Sequence, residues 1–160
     1  VSRYAKAIGE ALELSADDVR ELSLAGLLHD IGKITVPDSI LSKPGSLTDE
    51  EYEAVKNHAS RGYQILRTAD EYYDLAIYCL THHERFDGSG YPSGLKGTKI
   101  PLFSRIIAVA DAFEVMTSKR PYREPFSFLK AADELKRHRE TQFDPTIVDA
   151  FLKILPTIQL

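Results

Sequence analysis

The chain has 160 residues, 43% of them hydrophobic and 28% charged. That is a globular composition on a chain long enough to close one core, and it excludes a disordered tail or a fibrous repeat. Lys and Arg number 20 against 24 Asp and Glu, a formal charge of -4, so no bulk positive field marks DNA or an anionic membrane as the partner. A lone cysteine, Cys79, excludes an internal disulfide and any thiolate metal cage, and it suits a reducing compartment such as the cytoplasm. No run approaches the ~20 apolar residues of a membrane helix.

Helical periodicity dominates the chain. Val1, Ala5, Ile8 and Leu12 place one apolar stripe on a first helix. Ser15 with Asp18 resembles a capping box opening a second helix through Val19, Leu22, Leu27 and Leu28, which is expected to end near Gly32. Residues 34–47, with Pro37, Pro44 and Gly45, read as loop with at most one short turn. Thr48 and Glu51 form a better capping box for a helix toward His58, a further segment runs to about Leu66, and another covers roughly Tyr72 to His83.

Residues 84–101 carry Gly88, Gly90, Pro92, Gly94, Gly97 and Pro101 and are expected to form an extended loop. Loops beyond about 12–15 residues inside a compact domain are commonly functional. Then come a buried helix from Phe103 to Thr117, another near Ser127 to Arg139, and a last one opened by Asp144-Pro145. No alternating strand pair with a tight turn appears, so the expected class is all-α: a single-domain bundle of about seven or eight helices with a long Gly/Pro-rich loop.

The chemistry concentrates at helix ends. His29-Asp30 closes a strongly apolar helix, and an ionised carboxylate there is costly unless a cation or hydrogen bonds compensate it. His58 stands near another helix end, and His82-His83 at a third. Adjacent imidazoles diverge on a regular helix, which suits two neighbouring ions, or one ion if the helix frays. Asp111 interrupts the apolar run from Ile106 to Ala110, so it is either ion-paired or a ligand. Singly, each group also reads as a satisfied core residue. Together, imidazoles and carboxylates without thiolate favour iron, manganese or zinc. A carboxylate between imidazole groups can bridge two ions, and such a pair can hold a hydroxide nucleophile while polarising a phosphoryl oxygen. Phosphoester hydrolysis follows naturally.

These residues fall into a recognisable pattern. His29-Asp30-Ile31-Gly32-Lys33 resembles the dyad of the HD metal-dependent phosphohydrolases. His82-His83-Glu84 followed by Asp87-Gly88-Ser89-Gly90-Tyr91-Pro92 resembles the signature of their HD-GYP subfamily. Val109-Ala110-Asp111-Ala112, then Thr117 to Arg123, and Phe143-Asp144-Pro145 are similar to its later motifs, so the resemblance spans residues 1–160.

The resemblance implies a bacterial, cytoplasmic phosphodiesterase that linearises cyclic di-GMP to pGpG and onward to GMP, with cyclic GMP-AMP as an alternative substrate. It implies two or three divalent ions, iron or manganese, held by His29, Asp30, His58, His82, His83 and Asp111 with Asp30 bridging. Lys33 would position the scissile phosphate and the nucleophile beside Asp30, Arg120 and Arg123 would hold phosphates, and Tyr91 would line the substrate side. Glu84 would brace the loop rather than bind metal. Implied partners are an upstream sensory or receiver domain and a GGDEF diguanylate cyclase.

Lys99, Arg105, Lys119, Arg120 and Arg123 against Asp111 and Glu114 give this stretch a local positive excess suited to a dianionic ligand. Lys136, Arg137, His138 and Arg139 read as a solvated helix face outside the site.

The chain departs from the HD-GYP pattern in three places. It starts at Val1, without initiator methionine or signal peptide, just after the point where the family carries another histidine ligand on its first helix. The N-terminal end of that helix is therefore expected to be missing, and an incomplete site would make the chain a cyclic-dinucleotide-binding or protein-interaction module of weak activity. Glu114 stands where Asp is more common, and Glu140 where glycine is common.

Overall fold

A computed structural model describes residues 1–119 and 124–158. Among them lie nine α-helical segments: α1 (Ser2–Ala11), α2 (Ala16–Leu28), α3 (Asp38–Leu41), α4 (Asp49–Lys56), α5 (His58–Leu66), α6 (Tyr73–Thr81), α7 (Leu102–Thr117), α8 (Phe128–Arg137) and α9 (Pro145–Ile154). Since α3 is a single turn, eight helices exceed one turn, and the described residues contain no strand. The all-α reading holds.

Most boundaries follow the caps. Ser15 Oγ accepts from Asp18 N at the start of α2, Thr48 and Glu51 close a reciprocal box on α4, and Asp144 accepts from Thr146 N ahead of Pro145 in α9. Two ends come earlier than periodicity predicts. Helix α2 stops at Leu28 and the chain tightens into a 3-10 turn over Ile31–Thr35, and α6 stops at Thr81. Both early stops lie where histidines leave the helix to meet the same centre.

Helix α7 is the axis of the core. Ile106, Ile107, Val109, Ala110 and Phe113 are fully buried around it, which is the pattern of a helix covered on several sides. Helix α1 packs on α2, α7 and α9, and α5 packs on α6 and the 31–35 turn. Tyr4, Phe113 and Phe151 meet edge to face with centroids 4.9–5.9 Å apart and lock α1, α7 and α9 together.

Cys79 is buried in α6, donates to the His29 carbonyl at 3.0 Å, and has its thiol pushed up to about 12 by burial and by the Asp30 charge. It is a packing group. Glu140 has φ 67, the left-handed region that glycine adopts freely, which gives a backbone reason for glycine being common at this point of the pattern.

Candidate metal centre

Three histidines are set in the same way. His29 closes α2, His58 opens α5 and His82 closes α6. Each donates Nδ1–H to the carbonyl three residues earlier: Gly26 at 2.9 Å, Val55 at 2.6 Å and Cys79 at 2.6 Å. That hydrogen bond fixes the tautomer and leaves the Nε2 lone pair free, the arrangement that outer partners impose on metal-binding imidazoles.

The three Nε2 atoms converge on Asp30. Its Oδ1 lies 3.2 Å from His58 Nε2 and 4.0 Å from His82 Nε2, and its Oδ2 lies 3.4 Å from His29 Nε2 and 2.5 Å from Lys33 Nζ. His58 and His82 Nε2 are 3.5 Å apart. Asp111 Oδ1 approaches His29 Nε2 to 3.7 Å from α7. Ligand bonds of about 2.0–2.2 Å put donors sharing one ion roughly 3–4 Å apart, which matches these separations.

Donor atoms of Asp30, His58, His82 and His83 all lie within 4.8 Å of one another, while His29 faces the other oxygen of Asp30 and Asp111 stands beside His29. One carboxylate therefore stands between two sets of donors.

The electrostatics agree. Burial works against a charge on His29, but the neighbouring carboxylates of Asp111 and Asp30 outweigh it and carry its imidazolium to about 9. Burial also opposes ionisation of Asp30, yet His29, His58 and Lys33 hold its carboxyl well below the usual range. His82 is kept neutral by burial and by its neighbours His83 and His29, and burial with the nearby His58 pushes His83 down to about 4. His82 and His83 are thus neutral imidazoles beside ionised carboxylates, while His29 gives up its proton when a cation takes its place between the carboxylates. His29 Nε2 is also a buried nitrogen with no hydrogen-bond partner among the described residues. The donor set fits divalent metal ions.

Beside it the 84–101 segment folds back on itself. Glu84 is buried and its carboxylate accepts from Ser93 N at 2.7 Å and Leu95 N at 3.1 Å, so it braces this segment. At Gly90 a Cβ would sit 2.3 Å from Arg85 N and 2.6 Å from His83 O, so only glycine allows the loop to lie this close. The next residue, Tyr91, donates N–H to the His83 carbonyl and stacks on the His83 ring with centroids 5.0 Å apart. Burial, with Tyr52 and Asp30 nearby, pushes the Tyr91 phenol up.

Removing the brace tests this account. Glu84→Ala frees two amides from charge-assisted bonds worth roughly 1.5–3 kcal/mol each, so hydrogen exchange at Ser93 and Leu95 is expected to speed up about tenfold or more. Metal content should stay unchanged, and unaltered exchange at both amides would contradict the bracing role.

Of the sequence-predicted site residues, the structure brings together His29, Asp30, His58, His82, His83 and Asp111, with Lys33 and Tyr91 beside them. Arg120 and Arg123 lie outside the described residues. Arg105 does not belong to the cationic edge. Its guanidinium pairs with buried Asp144 and its Nε donates to the Ile100 carbonyl, tying α7 to the start of α9.

Two neighbours were not legible. Lys56 Nζ lies 5.1 Å over the Tyr91 ring and 5.7 Å over Tyr52, and the i, i+4 spacing of Tyr52 and Lys56 was the available signal. His138 was read as a solvated face, yet it joins Glu134 on the wall of a cavity that reaches His82, His83 and Asp111.

A family model described as "HD domain" matches residues 1–147. The chain belongs to the HD-domain family. It is 45% identical over 155 residues to the cyclic di-GMP phosphodiesterase response regulator of Xanthomonas campestris, covering 96% of this chain and 41% of that protein. It is 40% identical over 155 residues to 3'3'-cGAMP-specific phosphodiesterase 3 of Vibrio cholerae, covering 97% and 34%.

Among solved structures, a HDG"Y"P protein of Bdellovibrio bacteriovorus superposes with a TM-score of 0.76 at 21% identity, over 97% of this chain and 50% of that one, which supports the fold. This HD domain thus spans 41% and 34% of the two curated relatives. No helix among the described residues is long and apolar enough to cross a membrane.

Proposed function

We propose that this HD domain is a metal-dependent cyclic dinucleotide phosphodiesterase that opens cyclic di-GMP to linear pGpG and carries it on to GMP. The observation that supports it most is the division of Asp30, with one oxygen toward His58 and His82 and the other toward His29 and Lys33. A carboxylate shared in this way suits a bridge between ions, and the identities of the 45% and 40% relatives point to cyclic dinucleotides.

We assign His29, Asp30, His58, His82, His83 and Asp111 as ligands of two or three ions, iron or manganese. Bound there, divalent ions supply Lewis acidity toward a phosphoryl oxygen and make water acidic enough to attack at neutral pH.

The protein's own groups do the rest. Lys33, half exposed and anchored by Asp30, offers its ammonium to the scissile phosphate and positions it against the centre. Tyr91, fixed by His83 and Lys56, walls the substrate side and excludes water. Arg120 and Arg123 hold the substrate phosphates. The protein would be cytoplasmic, with an upstream sensory or receiver domain and a GGDEF cyclase as partner. A second substrate, 3′3′-cGAMP, is favoured by the Vibrio relative.

The test loads the domain with Fe(II) or Mn(II), counts the metal, and follows both dinucleotides by chromatography. Cleavage of cyclic di-GMP, with Lys33→Met losing about a hundredfold or more in kcat at unchanged metal content, is the expected result. A metal-replete protein that leaves both dinucleotides intact would overturn the proposal.

A further inference from the structure

We infer that the cavity between α7 and α8 is a guanine subsite, in which the Glu134 carboxylate reads the base of a nucleotide whose phosphate lies at the metal centre. This rests on the proposed function for the phosphate, while base recognition stands on the cavity itself.

The cavity has a volume of about 380 Å³. That lies at the lower end of the roughly 300–1,000 Å³ of small-molecule pockets and suits one nucleoside rather than a whole cyclic dinucleotide. His82, His83 and Asp111, three of the assigned ligands, belong to its lining, so a base held inside has its phosphate beside the centre. Ala112, Val115 and Met116 give α7 an apolar wall, the surface against which the flat face of a purine packs. Glu134 of α8, its C-cap His138 and Gln142 of the following turn add polar lining.

Glu134 is the group that discriminates. Its Oε1 accepts from Arg137 at 2.9 Å, while its Oε2 stands 3.7 Å from His138 Nε2, beyond hydrogen-bond length. Among the described residues Oε2 accepts no hydrogen bond and Oε1 keeps a second acceptor site beside Arg137, so the carboxylate can take two donors while Arg137 orients it. The Watson–Crick edge of guanine presents two adjacent N–H donors, N1–H and N2–H, which a carboxylate accepts. Adenine presents there an N1 lone pair beside its amino group and meets the same carboxylate with repulsion. A site built to accept two donors leaves a polar group unpaired when the wrong base enters, which is the stronger form of discrimination. His138 and Gln142 on the same lining offer donors of the kind that the O6 and N7 acceptors of guanine take.

The test has a binding arm and a turnover arm. Binding of GMP and AMP to the full chain is measured by calorimetry for the wild type, Glu134→Gln and Met116→Trp. The wild type is expected to bind GMP about tenfold or more tightly than AMP, Glu134→Gln to lose that preference, and Met116→Trp, which fills the cavity, to lose GMP binding.

In turnover, the ratio of kcat/KM for cyclic di-GMP over cyclic di-AMP should fall about tenfold in Glu134→Gln, a ratio that a general loss of fold would not move. Equal binding of GMP and AMP by the wild type, or an unchanged preference in Glu134→Gln, overturns the assignment. If no phosphodiester is cut while the guanine preference is present, the proposed function fails and the base subsite stands.

Discussion

Replacing Asp30 by asparagine is expected to strip the centre of its ions and, with them, phosphodiester cleavage. The amide keeps the size of the carboxylate but carries one acceptor oxygen and one NH2 donor. Oriented to serve His58 and His82, now 3.2 and 4.0 Å from Oδ1, it presents its NH2 to His29 and Lys33; turned over, it presents it to the paired imidazoles. Neither orientation bridges two cations. Loss of an outer hydrogen-bond partner of a ligand costs 10–100-fold, and removal of the shared ligand should cost well beyond that in affinity and in kcat.

The fold should survive. The change removes an attraction to His29 and Lys33 that outweighs the cost of burying the Asp30 charge, so the variant should melt lower than the wild type while remaining helical. The check is metal per chain by mass spectrometry beside the circular dichroism melt. A variant that retains its full complement of metal would remove Asp30 from the centre.

The residues of that centre were legible because chemistry leaves marks on a helical pattern. Asp111 in an otherwise apolar helix, and histidines at the ends of apolar runs, are costly placements that a core alone does not require. Caps were legible for a related reason: Thr48 with Glu51 and Asp144 before Pro145 satisfy amides a few residues away.

What the sequence did not show depends on contacts between distant segments. Periodicity carried α2 on to Gly32 and α6 to His83, because Ile31 and the two histidines continue an apolar pattern whose helix is stopped by tertiary demands. Arg105 counted as a substrate-side cation until Asp144, 39 residues away, claimed it. His138 reads in the sequence as part of a solvated helix face with Lys136, Arg137 and Arg139, and only the packing of α8 against α7 brings it, with Glu134, to the cavity. A cation or histidine shows its type in the sequence, but the burial that assigns its role comes from packing.

Gly32→Ala is expected to be the most damaging substitution that touches no ligand. The 3-10 turn carrying Lys33 lies directly on the backbone of α5: a Cβ at position 32 would fall 1.9 Å from the His58 carbonyl oxygen and 2.5 Å from Gly62 N. Both obstacles are main chain, so no rotamer relieves the clash. Gly62 is equally confined from the other side, since its own Cβ would meet Cys79 Sγ at 2.3 Å, and Cys79 is bonded to the His29 carbonyl.

Turn, α5 and α6 are thus stacked with no spare layer, and these three elements carry Asp30, His58 and His82. A methyl group must push the turn off α5. That costs about 3 kcal/mol, the upper part of the overpacking range, and should lower Tm by roughly 6–12 °C for a chain of this size. The same displacement widens the 3.2 Å approach of Asp30 Oδ1 to His58 Nε2, so metal affinity should fall even in molecules that fold. Melting and metal titration on one preparation separate the two effects. A variant that melts within about 2 °C of the wild type and keeps its metal would show that the turn does not rest on α5, and with it would go the mechanical link between this core packing and the positions of Asp30 and Lys33.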